Sequence, residues 1–243
     1  MTAESPLISG KLFRGFRKRG LQPRVLTSRD TGLPLEDVKG DFAKRLFDIV
    51  FSLLVLILFS PVYLLLASLI AIGSPGPIFY RQKRIGKNYK PFGCIKFRTM
   101  VTNADEILRE MMETSPELRS EFEGNFKLKN DPRVTCIGKF LRVTSLDEFP
   151  QFWNVLKGDM SVVGPRPLVV EELFMYGRNI DKILTIKPGI TGLWQVSGRN
   201  DIPYERRVQI DVYYVNFRNL WLDLWVIFKT IGVVIFPTNN GAY

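Results

Sequence analysis

The chain has 243 residues, 46 % apolar and 24 % charged, which excludes global disorder and leaves room for one domain with a sizeable core, with or without appendages. Lys and Arg outnumber Asp and Glu by 34 to 24, and the formal net charge of +10 suits anionic partners: nucleic acid, acidic lipid head groups or phosphorylated small molecules. Histidine is absent and the only two cysteines, Cys94 and Cys136, lie outside any C-x-x-C pair, which removes Ser-His-Asp and Cys-His catalysis, His-ligated metals, zinc ribbons, iron–sulfur clusters and a disulfide framework, and fits a reduced setting.

Residues 1–40, with eight Lys/Arg and four Asp/Glu, read as a basic, flexible tail. Within it, Lys11-Leu-Phe-Arg-Gly-Phe-Arg-Lys-Arg19 interleaves Phe13 and Phe16 with cations, a pattern that can rest on an anionic membrane surface. A solvated, disordered tail fits the same composition. Nucleic-acid binding is a third reading, and the apolar segment that follows argues against it.

Residues 49–72, IVFSLLVLILFSPVYLLLASLIAI, carry no charge, and none appears between Asp48 and Arg81. About 20 apolar residues suffice to reach across a bilayer core, so this segment enters the membrane. It starts too far from Met1 and is too long for a cleavable signal peptide. Lys44 and Arg45 precede it; Arg81, Lys83, Arg84, Lys87 and Lys90 follow it, and the positive-inside rule draws both flanks to the cytoplasm. A straight span cannot satisfy that. A re-entrant helix that breaks at Ser60-Pro61 and returns does. Pro61 removes the donor that would bond the Ile57 carbonyl, and Ser60 can offer its hydroxyl to the freed group. Each half rises only ~18 Å as helix, little more than half of a ~30 Å core. A kinked spanning helix is the alternative that composition leaves open.

Ser74-Pro-Gly-Pro77 breaks the chain. Residues 78–85 and 89–97 then read as a β-hairpin joined by Gly86-Lys87-Asn88. Asn103 can cap a helix with Ile107, Leu108, Met111 and Met112 on one face, ending before Pro116. Residues 120–132 read as a charged loop, 133–141 as a short helix and 148–156 as another, ended by Lys157-Gly-Asp159. Prolines and glycines from Pro165 to Gly198 mark a loop-rich region. Residues 204–217 read as an amphipathic helix. Residues 219–236 are apolar and Trp-rich but carry Asp223 and Lys229, which suits an interfacial helix with Trp221 and Trp225 at head-group level; a core helix fits as well. The chain shows no internal repeat. The expected fold class is helix-rich α+β: a membrane segment over residues 41–76, read as a re-entrant helix, then a cytoplasmic-face domain over 77–243 with a small β-hairpin and amphipathic helices read as interfacial.

Chemistry points to Arg142-Val-Thr-Ser-Leu-Asp-Glu-Phe-Pro150. Ser145-x-x-Glu148 is a capping-box pattern, which sets Asp147 and Glu148 in the first turn of a helix, where acids complement the dipole. The same helix start favours phosphate, and with Arg142 nearby it keeps a carboxylate ionised as nucleophile or Mg²⁺ ligand. Vicinal carboxylates on a helix diverge, so two separate roles follow rather than a shared one. Cations stand at breakers: Lys96 and Arg98 at the end of the second β-run, Arg166 between Pro165 and Pro167, and Arg199 on a turn after Gly198. Guanidinium groups in fixed directions suit diphosphate, which Arg grips bidentately. Together these features indicate a membrane-face enzyme for a phosphorylated substrate.

Four segments stand in one order: Lys96-Phe-Arg-Thr-Met100, Thr144-Ser-Leu-Asp-Glu148, the run from Pro150 through Asn-Val-Leu-Lys-Gly-Asp-Met-Ser-Val-Val-Gly-Pro-Arg to Pro167, and Lys187-Pro-Gly-Ile-Thr-Gly-Leu-Trp-Gln-Val-Ser-Gly-Arg199. In these the chain resembles the bacterial sugar transferases, the monotopic polyprenyl-phosphate phosphoglycosyl transferases, over about residues 41–243. The resemblance implies transfer of a sugar-1-phosphate from a UDP-sugar to undecaprenyl phosphate. UMP leaves, and the pathway is initiation of exopolysaccharide, capsule or O-antigen assembly. It implies Mg²⁺, a covalent phosphosugar–aspartate intermediate and a re-entrant helix broken at Ser-Pro, at the cytoplasmic face of the bacterial inner membrane. On its motif positions Asp147 is nucleophile and Mg²⁺ ligand, Glu148 completes the pair, and Lys96, Arg142, Arg166 and Arg199 surround the phosphates. The partners are then the UDP-sugar, undecaprenyl phosphate and the bilayer, without nucleic acid; a homodimer is left open.

Two departures stand out: larger members carry a multi-spanning N-terminal region where this sequence has a basic tail, and Phe149 stands where Leu is commoner. Glucose or galactose is the expected sugar, and no residue decides between them. A membrane-tethered adaptor or nucleic-acid-binding module without catalysis is the alternative; it gives the carboxylate pair no use.

Overall fold

The computed structural model describes residues 38–125, 128, 131–198 and 202–235. The basic tail up to residue 37, and Arg199, lie outside the described residues.

The apolar segment forms two helices, α1 (Val38–Leu58) and α2 (Ser60–Gly73), with a bend of 62° at Phe59. The Ser60 hydroxyl donates to the Ile57 carbonyl at 2.8 Å, the group that Pro61 cannot serve. No single helix among the described residues is long and apolar enough to cross a membrane; only this bent pair passes such a test together. Helix α1 starts well before the uncharged run, because its charged turn finds partners. Arg45 donates to the Val155 and Leu156 carbonyls at 2.6 and 2.9 Å. Lys44 lies 2.8 Å from Asp48 and 3.1 Å from Asp223.

The β-hairpin pairs β1 (Phe79–Ile85) with β2 (Pro91–Phe97), antiparallel, with Phe79 opposite Phe97 and Ile85 opposite Pro91. Then come α3 (Ala104–Thr114) and α4 (Pro116–Asn125). Helix α4 overturns the loop expected from residue 120. Its charges do not prevent a helix, because Pro116 opens it and the Ser115 hydroxyl accepts the Leu118 amide at 3.4 Å. Helix α5 (Cys136–Thr144) begins later than expected, at a cap where Thr135 Oγ1 accepts the Gly138 amide at 3.0 Å. Helix α6 (Gln151–Lys157) follows a short turn and ends at Gly158, left-handed at φ 91°.

The region read as loops contains more order. Strands β3 (Ser161–Val163) and β4 (Gly189–Thr191) pair in parallel, flanking a 3₁₀ run (Val170–Asn179) and α7 (Ile180–Ile183). After α8 (Leu193–Ser197) come α9 (Tyr204–Phe217) and α10 (Leu220–Ile235), close to the expected bounds. The result is helix-rich α+β with two small sheets.

The main core joins Cys94, Val155, Met160, Val162, Tyr214 and Val226, with Phe47, Phe51 and Val55 of α1 packed against it. Helix α1 is thus half domain wall. Its other side leaves Phe42, Leu54, Ile57 and Leu58 exposed, as Leu64, Leu65 and Ile72 are on α2. Apolar area of that extent on a water-facing surface is unfavourable and marks a contact surface.

A polar clasp binds α1 to the far end of the chain. The Val162 amide donates to Asp48 at 3.1 Å, and the Tyr214 hydroxyl donates to Asp223 at 2.7 Å while lying 3.1 Å from the Val163 carbonyl. Asp223, read as a sign of an interfacial helix, is buried. Helix α10 is two-sided: Asp223 and Val226 face the core, and Trp221, Trp225 and Phe228 are exposed.

Candidate active site

The two acids do not open an α-helix. Ser145 follows α5 in a left-handed conformation (φ 58°) and its side chain makes no cap bond. Asp147 and Glu148 lie in a 3₁₀ turn, Leu146–Glu148, and α6 starts only at Gln151. Pro150 is the cause: with no N–H it cannot bond the Leu146 carbonyl, so one helix from Ser145 onward cannot propagate. The capping-box expectation therefore fails, although both acids stand next to a helix start.

Lys96, at the end of β2, meets this turn. Its ammonium lies 2.6 Å from Glu148 Oε1 and 3.7 Å from Asp147 Oδ2. Asn154 fixes the two elements together. Its Oδ1 accepts the Ile95 amide at 2.9 Å and its Nδ2 donates to the Gly93 carbonyl at 2.8 Å. One buried amide from the helix after the acids thus grips the strand that carries the lysine. Arg142, on the last turn of α5, donates through Nε to Thr99 Oγ1 at 3.1 Å and sits within electrostatic reach of Asp147.

Arg166 lines one cleft with Lys96, Glu148, Gln151 and Gln195. A backbone crossing sets its position. The Gly164 amide donates to the Thr191 carbonyl at 2.9 Å, and the Gly189 amide to the Pro165 carbonyl at 2.8 Å. A Cβ on Gly164 would lie 2.8 Å from the Gly189 nitrogen, and one on Gly189 would lie 2.1 Å from the Gly164 nitrogen, so neither position has room for a side chain.

Arg84 completes the cation set and was not singled out from sequence, where it was one of five basic residues after the apolar run. It is buried in the same cleft and donates to the Pro167 carbonyl at 2.9 Å, with Glu172 at 3.6 Å. Alternation along β1 carries a weak signal for it, since Arg84 occupies the one buried position of that strand.

Arg98 is not brought to the acids. Its two terminal nitrogens donate to the Ser74 and Pro75 carbonyls at 2.5 and 2.7 Å, which ties the exit of α2 to β2. These bonds serve carbonyls where the chain leaves α2 and turns toward β1.

Burial raises the Asp147 carboxyl to about 6, the Glu148 charge adding to the rise and Lys96 and Arg142 opposing it. Burial acts on Glu148 too, but Lys96, Arg166 and Arg84 hold it below its ordinary value. Lys96 and Arg142 thus offset only part of what burial and Glu148 do to Asp147. Cys94 lines the cleft with its thiol pushed up to about 11 by burial, which leaves it inert as a nucleophile.

No group of three or more His, Cys, Asp or Glu side chains that could hold a metal occurs among the described residues. Mg²⁺ does not require one: it commonly takes one or two carboxylates and completes its shell with water and substrate phosphates. Asp147, less closely engaged by Lys96 than Glu148 is, fits that pattern.

The family model described as bacterial sugar transferase matches residues 39–237. The chain is 51 % identical over 202 residues to the undecaprenyl-phosphate galactose phosphotransferase of Salmonella typhimurium, covering 83 % of this chain and 42 % of that protein. It is 42 % identical to the UDP-glucose:undecaprenyl-phosphate glucose-1-phosphate transferase of Klebsiella pneumoniae, covering 86 % and 43 %. It is 46 % identical over 204 residues to the exopolysaccharide production protein ExoY of Rhizobium meliloti, covering 84 % and 89 %. The chain thus spans less than half of the first two proteins and most of the third.

Proposed function

Because the chain belongs to the bacterial sugar transferase family, we propose that it transfers a sugar-1-phosphate from a UDP-sugar to undecaprenyl phosphate, releasing UMP and starting exopolysaccharide-type glycan assembly. The observation that carries this reading is the Lys96–Glu148–Asp147 cluster, faced by Arg166 and Arg84. The apolar, bent helix pair packs directly behind it. A diphosphate donor needs its charge met before an anion can approach, and these cations meet it.

An Asp147 carboxylate oxygen attacks the sugar-bearing phosphorus. The bond from that phosphorus to the bridging oxygen breaks, and the electron pair leaves with UMP. A phosphate oxygen of the polyprenyl acceptor then attacks the same phosphorus. The aspartyl–phosphorus bond breaks, giving the lipid diphosphate-sugar and restoring Asp147. Glu148 holds Lys96 in place beside the reacting phosphate. Bound Mg²⁺ would neutralise diphosphate oxygens, with Asp147 as its protein ligand. The bent pair dips into the cytoplasmic leaflet of the inner membrane, so that the cleft meets the acceptor phosphate at head-group level. An adaptor or nucleic-acid module gives this cluster no task.

Incubation of the full chain with a UDP-sugar alone should release UMP and leave a phosphosugar mass on the peptide that contains Asp147. UMP release only when the acceptor is present, with no adduct, would refute the covalent route.

A further inference from the structure

The first turn of α2 reaches the acid-bearing turn directly. Tyr63 stands two residues after Pro61, and its amide bonds the Phe59 carbonyl at 2.9 Å, so the helix break fixes its direction. Its hydroxyl donates to the Phe149 carbonyl at 2.5 Å. Phe149 directly follows Glu148, and the same carbonyl accepts the Phe152 amide at 3.1 Å at the opening of α6. The Tyr63 ring packs on Phe149 and on Phe97, with centroids 5.8 and 5.7 Å away, and Phe97 directly follows Lys96. Phe59, at the bend itself, meets Phe149 edge-on at 5.8 Å. One side chain therefore touches the neighbours of both members of the Lys96–Glu148 pair.

We propose that Tyr63 is a positioning residue whose hydroxyl ties the acid-bearing turn to the bent helix pair, so that seating of the apolar helices sets the carboxylates. A 3₁₀ turn flanked by a left-handed Ser145 and by Pro150 has few bonds of its own to hold it. An outside donor on the carbonyl after Glu148 supplies what the turn lacks. The consequence for chemistry rests on the transferase reading; the mechanical tie does not.

The test uses Tyr63→Phe, which keeps the ring and removes only the hydroxyl, in the full chain reconstituted in vesicles of phosphatidylethanolamine and phosphatidylglycerol. UMP formation from UDP-glucose and UDP-galactose gives kcat and KM, and amide hydrogen exchange is followed over residues 146–153. Loss of one hydrogen bond predicts a kcat lowered roughly three- to tenfold with KM within twofold, and exchange of that segment faster by a like factor. Exchange in β1, β2 and α9 should not change. Unchanged kcat and exchange would overturn the proposal. So would faster exchange throughout the domain, since Tyr63 would then serve only packing. If the unaltered chain forms no UMP from either donor, the transferase reading fails, and the exchange comparison still decides the tie.

Discussion

The clasp on α1 and the cleft at β2 are made of the same parts, a lysine between two carboxylates, and they do different work. Lys44 lies 2.8 Å from Asp48 and 3.1 Å from Asp223; Lys96 lies 2.6 Å from Glu148 and 3.7 Å from Asp147. In the clasp the acid side chains are 3 % and 2 % exposed, and each takes a further donor, the Val162 amide or the Tyr214 hydroxyl. Around Lys96, by contrast, Asp147 is 14 % and Glu148 31 % exposed, and Glu148 lines a cleft together with Arg84 and Arg166. Charge content does not separate the two. Saturation by fixed donors makes the first a fastener; on the proposed function, the more exposed second, with arginines beside it, receives an anion.

The sharpest break between them is an isosteric change in each. Asp147→Asn should lower UMP formation at least ~1,000-fold, because an amide cannot serve as the nucleophile, and should leave the melting temperature within about 2 °C. Asp223→Asn should do the reverse. It strands part of the Lys44 charge and should cost about 2–4 kcal/mol of stability in denaturant titration, with turnover per folded molecule retained. If Asp147→Asn unfolds the chain and Asp223→Asn does not, the contrast is inverted.

A third buried acid sharpens the point. Asp211 on α9 accepts the Tyr176 hydroxyl at 2.9 Å, and its other oxygen has no partner among the described residues. Burial raises it to about 7 from 3.8, the tyrosine bond opposing the rise. The folded state thus binds this proton more tightly than the unfolded state does. The sign follows: the contribution of Asp211 to stability is fully present at low pH and is lost as pH rises from about 4 to about 7. Asp211→Asn should remove about 2–3 kcal/mol of that slope, read as the difference between denaturation midpoints at pH 5 and pH 7.5. An unaltered slope would show that Asp211 finds a partner the contrast does not count.

What sequence made legible was local. The Ser60 bond to Ile57, the β-hairpin, α9 and α10 follow from patterns that span a few residues, and those came out close to expectation. The convergence of Lys96, Asp147, Glu148 and Arg166 was legible through long motifs rather than through periodicity. Arg84, Asp48 and Asp223 were not legible, because what distinguishes them from surface charges is a partner far along the chain. Val162 is 114 residues from Asp48, and Pro167 is 83 from Arg84. The capping box misled for the opposite reason. Its local pattern was real, and Pro150, two places beyond it, took the helix away.

The backbone crossing beneath Arg166 has a consequence for how the protein can change. Gly164 and Gly189 meet with no space for a methyl group, so main chain rather than exchangeable side chains sets where the backbone of Arg166 stands. Drift in the surrounding sequence can reshape the cleft walls while this footing stays put. On the proposed function, one footing for the diphosphate can then be inherited unaltered by descendants that differ in the sugar they accept.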